Sequence, residues 1–110
     1  MSTTEHNIQN EIRAWCGEHG YPCFRCNVGK VKCADGTWFD TGLPPGFPDL
    51  LILANRTVYF CEVKTRYGQQ REEQRRFQEA MEGYGYTYIL ARSVIDVERV
   101  LTYNNHHEND

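Results

Sequence analysis

A chain of 110 residues with a formal net charge of −3 is long enough to bury one real core and too short to divide into two domains. No apolar run approaches the roughly 20 residues that span a bilayer, and the polar start Met-Ser-Thr-Thr-Glu-His-Asn does not resemble a signal peptide. Those features predict a cytoplasmic protein without membrane partners. Mild acidity argues against the usual basic nucleic-acid-binding domain, but the cations are clustered. Arg25, Lys30 and Lys32 lie early, and Lys64, Arg66, Arg71, Arg75 and Arg76 follow closely on one another.

In chain order, residues 3–19 predict a helix: Ile8, Ile12, Trp15 and Cys16 keep helical spacing, and Ser2 or Thr4 can cap its start. Residues 21–28 predict a strand. From Gly29 to Gly46, four glycines and two prolines predict a long loop with at most a short strand near Val31, and long loops are often functional. Asp49-Leu-Leu-Ile-Leu53 and Val58-Tyr-Phe-Cys-Glu-Val-Lys64 predict two strands around a tight turn at Ala54–Thr57, where Asn55 tolerates a left-handed conformation. A basic turn, Thr65–Gly68, leads into a helix over 70–82 with Phe77, Ala80, Met81 and Tyr84 on its apolar face. Tyr86–Ala91 predicts a further strand. Ser93 caps a last helix whose inner side is Val94, Val97, Val100 and Leu101, and the polar tail from Asn104 is expected to fray. The expected order is α-β-β-β-α-β-α. Because the two middle strands are apolar on both faces, they belong at the centre of a mixed α/β sheet flanked by helices.

A turn centred between Asn55 and Arg56 sets Leu53 opposite Val58, Leu51 opposite Phe60 and Asp49 opposite Glu62. Opposed residues have Cβ atoms roughly 4.5–5.5 Å apart, near enough for two carboxylates to share one divalent cation. Lys64 projects from the same sheet face as Glu62. Two like charges opposed among apolar residues are costly unless a cation or solvent meets them. The cluster therefore predicts metal-assisted attack on a phosphodiester. Five cysteines without an export signal are expected to be reduced thiols. Cys23-Phe-Arg-Cys26 has the spacing of half a zinc site, yet positions three apart on a strand face opposite ways.

Gly46-Phe-Pro48-Asp49, an apolar strand, then Cys61-Glu62-Val63-Lys64 resembles the PD-(D/E)xK nuclease signature. With Gly68, Gln74, Phe77 and Gly85 in order behind it, the chain resembles the stand-alone virus-type replication-repair (VRR-NUC) branch from about Glu11 to Leu101. The resemblance implies a restriction-endonuclease-like three-layer fold and a Mg²⁺-dependent endodeoxyribonuclease acting on branched DNA such as Holliday junctions. It further implies a homodimer, and the host cytoplasm if the source is a bacteriophage. It makes Glu11 the helical acidic residue of the site, beside Asp49, Glu62, Lys64 and Gln74, and implies Mg²⁺ (or Mn²⁺) held by Asp49, Glu62, the Val63 carbonyl and Glu11, with no small-molecule cofactor. Gln74 is expected to contact Lys64 or a metal-bound water. Lys64, Arg66, Arg71 and Arg75 are expected to meet phosphates, although these arginines also suit a solvated helix face paired with Glu72, Glu73 and Glu79. Trp38, Phe39 and Tyr67 suit either base stacking or a core or dimer surface. Two other functions stay open: a catalytically silent nucleic-acid-binding module, and a zinc regulator built on the cysteines.

Overall fold

The computed structural model describes the backbone of residues 4–108 and the side chains of residues 4–104. Nine elements follow one another: α1 (Glu5–Glu18), β1 (Cys23–Arg25), β2 (Lys30–Lys32), β3 (Trp38–Asp40), β4 (Leu50–Ala54), β5 (Thr57–Val63), α2 (Glu72–Gly83), β6 (Thr87–Ala91) and α3 (Val94–Glu108). A four-stranded sheet runs β1-β4-β5-β6, and β2 and β3 form a separate two-stranded sheet. The first two pairings of the large sheet are antiparallel and the last is parallel. The fold is thus mixed α/β with β4 and β5 central.

The β4–β5 turn sets the register. Asn55 and Arg56 both have positive φ, 52° and 63°, the geometry whose twist matches paired antiparallel strands. Asn55 tolerates it readily, and its side-chain amide donates to the Tyr59 hydroxyl at 2.9 Å and to the Leu101 carbonyl at 3.1 Å, tying the turn to α3. Leu53 accordingly faces Val58, Leu51 faces Phe60 and Leu50 faces Cys61, as the turn predicts.

One sheet face carries Leu50, Ile52, Tyr59, Cys61, Val63, Ile89 and Ala91, all buried. Ile8, Ile12 and Cys16 of α1 and Val97 and Leu101 of α3 cover it. The other face is covered by α2 through a cluster of rings, in which Phe77 meets Phe47 at 5.1 Å and Phe60 at 5.5 Å edge-on. Such geometry suits aromatic quadrupoles.

Four expectations need correction. The 29–46 segment contains a hairpin, β2–β3, rather than a loop with one strand. All six of its strand residues are exposed, so it shows none of the buried-face alternation by which a strand is recognised. Strand β1 is three residues long. Ala80 and Tyr84 are exposed, because α2 ends at Gly83 and only its Gln74, Phe77, Gln78 and Met81 side is withdrawn from solvent. Finally, α3 continues through Glu108, past the Asn104 at which the polar tail is expected to begin; residues 109–110 of that tail lie outside the described residues.

Candidate metal-binding site at the β4–β5 sheet end

Asp49 immediately precedes β4 and continues its register toward Glu62. Its backbone carbonyl accepts from the Cys26 N–H at 2.8 Å, and its carboxylate Oδ2 accepts from the Val63 N–H at 2.7 Å. The side chain is therefore clamped across the end of the ladder. Gly46 makes that approach possible. At φ 93° it lies so close to α2 that an added Cβ would meet the Glu73 carbonyl oxygen at 2.4 Å.

Glu62 is completely buried. Its Oε1 accepts from the Tyr88 hydroxyl at 2.6 Å and from Gln70 Nε2 at 3.0 Å. Gln70 is itself braced, donating to Gln78 Oε1 at 2.8 Å. The other oxygen, Oε2, accepts no hydrogen bond and lies 3.6 Å from the Lys64 ammonium. A buried carboxylate oxygen without a donor is unusual in native proteins. Lys64 is buried too, its backbone N–H held by the Ala91 carbonyl at 3.0 Å. The turn after it is pinned from β6, since Arg92 donates to the carbonyls of Thr65 at 2.6 Å and Gly68 at 2.7 Å.

Electrostatics follow from this burial. Desolvation pushes the Asp49 carboxyl above its ordinary range; the Val63 N–H opposes the rise, Glu5 and Glu62 add to it, and Lys64 opposes it. The Tyr88 hydroxyl is raised for the same first reason, reinforced by its bond to Glu62.

A cleft of about 500 Å³ opens beside Asp49. Its walls include Gln9 of α1, Arg25 at the end of β1, Cys26 after it, Val31 of β2, Phe47, and Arg71 and Gln74 at the start of α2. Gln9 has a buried Oε1 with no hydrogen-bond partner.

Glu62 and Lys64 lie 3.6 Å apart and both act electrostatically on Asp49, but the paired ladder ends at Leu50–Cys61, and Asp49, on the cleft, meets the Val63 N–H. Glu11 does not join them. It is exposed on α1, because it lies on the far flank of the Ile8–Ile12–Cys16 stripe. The acid of α1 whose charge reaches Asp49 is Glu5. Gln74 is buried on the cleft wall, but its carbonyl accepts from the Arg71 backbone N–H at 2.8 Å. It braces the start of α2 instead of contacting Lys64. Among the arginines, Arg71 lines the cleft, Arg66 lies 5.4 Å over the Tyr67 ring, and Arg75 is engaged with Glu79 at 2.9 Å and Glu72 at 3.9 Å. Arg76 also pairs with Glu72, so these two behave as a solvated helix face.

Tyr88, Gln70, Gln9, Glu5 and Arg25 are site residues that spacing alone does not single out. Tyr88 depends on the parallel β5–β6 register and Gln70 on the fold of the 65–71 turn. Glu5 and Gln9 lie on the flank of the Ile8–Ile12–Cys16 stripe opposite Glu11, and helical phasing alone does not say which flank meets the sheet end.

Among the described residues, no group of three or more His, Cys, Asp and Glu side chains is placed to hold a metal ion. Cys23 packs against the core while Cys26 lines the cleft, so the pair does not converge as half a zinc site. Asp49 and Glu62 supply two carboxylates close enough to influence each other electrostatically, and the backbone of Val63 adjoins them through its N–H on Asp49 Oδ2. That oxygen-only set, with the vacant Glu62 Oε2 in it, fits a hard cation that retains water ligands.

A pH consequence follows from Asp49. With its folded-state pKa raised above the unfolded value of roughly 3.9, the unfolded chain binds fewer protons, so stability falls as pH rises through the folded pKa. Asp49→Asn keeps an acceptor for the Val63 N–H and removes the charge. Without divalent cations, its melting temperature at neutral pH should exceed the wild-type value. The gap should close at a pH below the ordinary aspartate range. An equal gap at both pH values would refute the assignment.

No known protein-family model matches the chain, and no curated protein matches it.

Proposed function

We propose that the protein is a divalent-metal-dependent DNA endonuclease, with the restriction-endonuclease-like PD-(D/E)xK fold and an affinity to its VRR-NUC branch. The observation that carries this reading is the buried Glu62, one oxygen fixed by Tyr88 and Gln70 and the other free beside Lys64, one strand away from a charge-strained Asp49 on an open cleft. A structural carboxylate gains by having all its lone pairs satisfied, whereas a ligand needs one left vacant.

When bound, Mg²⁺ supplies Lewis-acid polarisation of a phosphodiester and acidifies water. Asp49, Glu62 and the Val63 carbonyl would hold it. Tyr88 and Gln70 keep Glu62 from rotating, so the vacant oxygen stays aimed. Lys64, now beside Glu62, offsets charge on the scissile phosphate and orients the attacking water. Arg71 and Arg25, on the cleft wall, meet flanking phosphates; Arg66 lies further along the 65–68 turn. One chain offers one site, so paired incisions in a four-way junction require a two-fold dimer.

A catalytically silent binding module is the competing reading, favoured by the lack, among the described residues, of a third His, Cys, Asp or Glu placed with Asp49 and Glu62. The two separate on a panel of junction, flap, nicked, duplex and single-stranded DNAs incubated with Mg²⁺ or Mn²⁺, with Asp49→Ala as control. The nuclease produces 5′-phosphate and 3′-hydroxyl ends on at least one branched substrate, and the variant produces none. Binding of all substrates without metal-dependent cleavage would establish the silent module.

A further inference from the structure

We infer that Cys16 and Cys23 form a peroxide-responsive dithiol, in which Cys23 attacks hydrogen peroxide and Cys16 then closes a disulfide between α1 and β1. Neither sulfur takes part in the proposed hydrolysis, so the dithiol stands or falls apart from it.

The fold brings the two sulfurs together. In the β1–β4 register Cys23 lies opposite Ile52, and cross-strand partners share a face. Ile52 belongs to the buried face that α1 covers, so Cys23 points toward α1 and packs against the core there. Cys16, in the last turn of α1, is wholly buried in that same core. The chain between them folds back tightly. The Cys16 carbonyl accepts from the Tyr21 N–H at 2.9 Å, and the Pro22 carbonyl accepts from the Leu53 N–H at 2.9 Å. Both are free thiols, and the contact between them is the largest influence on the ionisation of either.

Burial sorts their roles. Cys16 is fully enclosed, whereas Cys23 is partly open to solvent, so the thiolate forms on Cys23. The Cys16 thiol, donating to it, holds Cys23 below its ordinary range; burial opposes this and Arg13 assists. Cys16 is raised by the same contact and then by burial, and stays a thiol. An accessible thiolate beside a resolving thiol is the arrangement that oxidises selectively. The Cys23 thiolate attacks one peroxide oxygen, the O–O bond breaks, and hydroxide leaves as water with the proton Cys23 had released. The Cys16 sulfur then attacks the Cys23 sulfur. The S–S bond forms, the S–O bond breaks, and the oxygen departs with the Cys16 proton as a second water. Cys26 offers no rival partner: three positions on, it lines the cleft, with its N–H on the Asp49 carbonyl. The bridge joins the two elements, α1 and β1, that carry Gln9 and Arg25 to the cleft wall.

The reduced full chain is treated with stoichiometric hydrogen peroxide, alkylated and digested with trypsin. Residues 14–25 form one tryptic peptide that holds both sulfurs and no other cysteine. It should lose two hydrogens, resist alkylation and recover with dithiothreitol, oxidising at least about tenfold faster than exposed Cys33. The oxidised chain should melt about 5 °C or more above the reduced one, because the bridge closes a loop that unfolding otherwise frees. Cys16→Ala should leave Cys23 as a sulfenic acid that dimedone traps, and Cys23→Ala should leave Cys16 unreacted. Oxidation of Cys33 ahead of the pair, a link between Cys23 and Cys26, or an oxidised chain melting no higher than the reduced one overturns the dithiol.

Discussion

Glu62→Gln should lower metal-dependent cleavage of a branched substrate by at least about a hundredfold, the scale set by loss of an electrostatic group at a reacting phosphate. The side chain keeps its length, and its amide oxygen still accepts from Tyr88 and Gln70, whose bonds at 2.6 and 3.0 Å set its position. The other position, 3.6 Å from Lys64, becomes an amide NH₂, so both the charge and the ligand oxygen are lost. Lys64 loses its counter-charge at some cost in stability, so rates are compared at a temperature where the far-UV spectrum shows both proteins folded. Glu62→Ala is the poorer test, because it strands Tyr88, Gln70 and Lys64 without their partner and mixes loss of stability with loss of function. A Glu62→Gln protein cleaving at the wild-type rate would remove Glu62 from the chemistry and leave it a buried structural acid.

The largest expected effect on stability comes from Gly46→Ala. The backbone there has φ 93°, and the new Cβ would lie 2.4 Å from the Glu73 carbonyl oxygen and 2.7 Å from its carbon. Backbone cannot yield as a flexible side chain would, so α2 or the Phe47–Asp49 segment must shift. Strain plus displacement should destabilise by about 2–4 kcal/mol, visible as a lower urea midpoint with unchanged slope. Gly36→Ala is the control. Its φ is 89°, but nothing lies within 4 Å of an added Cβ, so it should cost about 1 kcal/mol. Equal losses at both positions would show that the close approach to Glu73 contributes nothing beyond the turn conformation. Because Gly46 also sets where Asp49 begins its strand, the variant should cleave poorly even under conditions that keep it folded.

These outcomes bear on how much of the molecule its sequence discloses. The β4–β5 register was legible because a two-residue turn leaves no freedom once Asn55 and Arg56 adopt their left-handed conformations. It carried Asp49, Glu62 and Lys64 with it. The central position of β4 and β5 was legible because both faces of each strand are apolar. The partners of Glu62 were not. Tyr88 lies across a parallel crossover and Gln70 at the end of an irregular turn, and neither distance is encoded in local periodicity. Glu11 misled for a smaller reason: a helix has two flanks beside its buried stripe, and only the flank of Glu5 and Gln9 looks toward Asp49. Gln74 shows that a buried amide need not belong to the chemistry, since the nearest unpaired donor was the backbone of Arg71. The β2–β3 hairpin carried one signal, the Asp35-Gly36 turn dipeptide. A ribbon exposed on both faces has no apolar alternation to accompany it.

Manganese binding measured directly on the metal-free protein, by electron paramagnetic resonance or calorimetry, tests most directly whether two acids on adjacent strands share a cation. One Mn²⁺ per chain in the wild type, displaced by excess Mg²⁺ and lost in both Asp49→Asn and Glu62→Gln, is the predicted result. Undiminished binding in either variant, or no binding to the wild type with its substrate present, would contradict it.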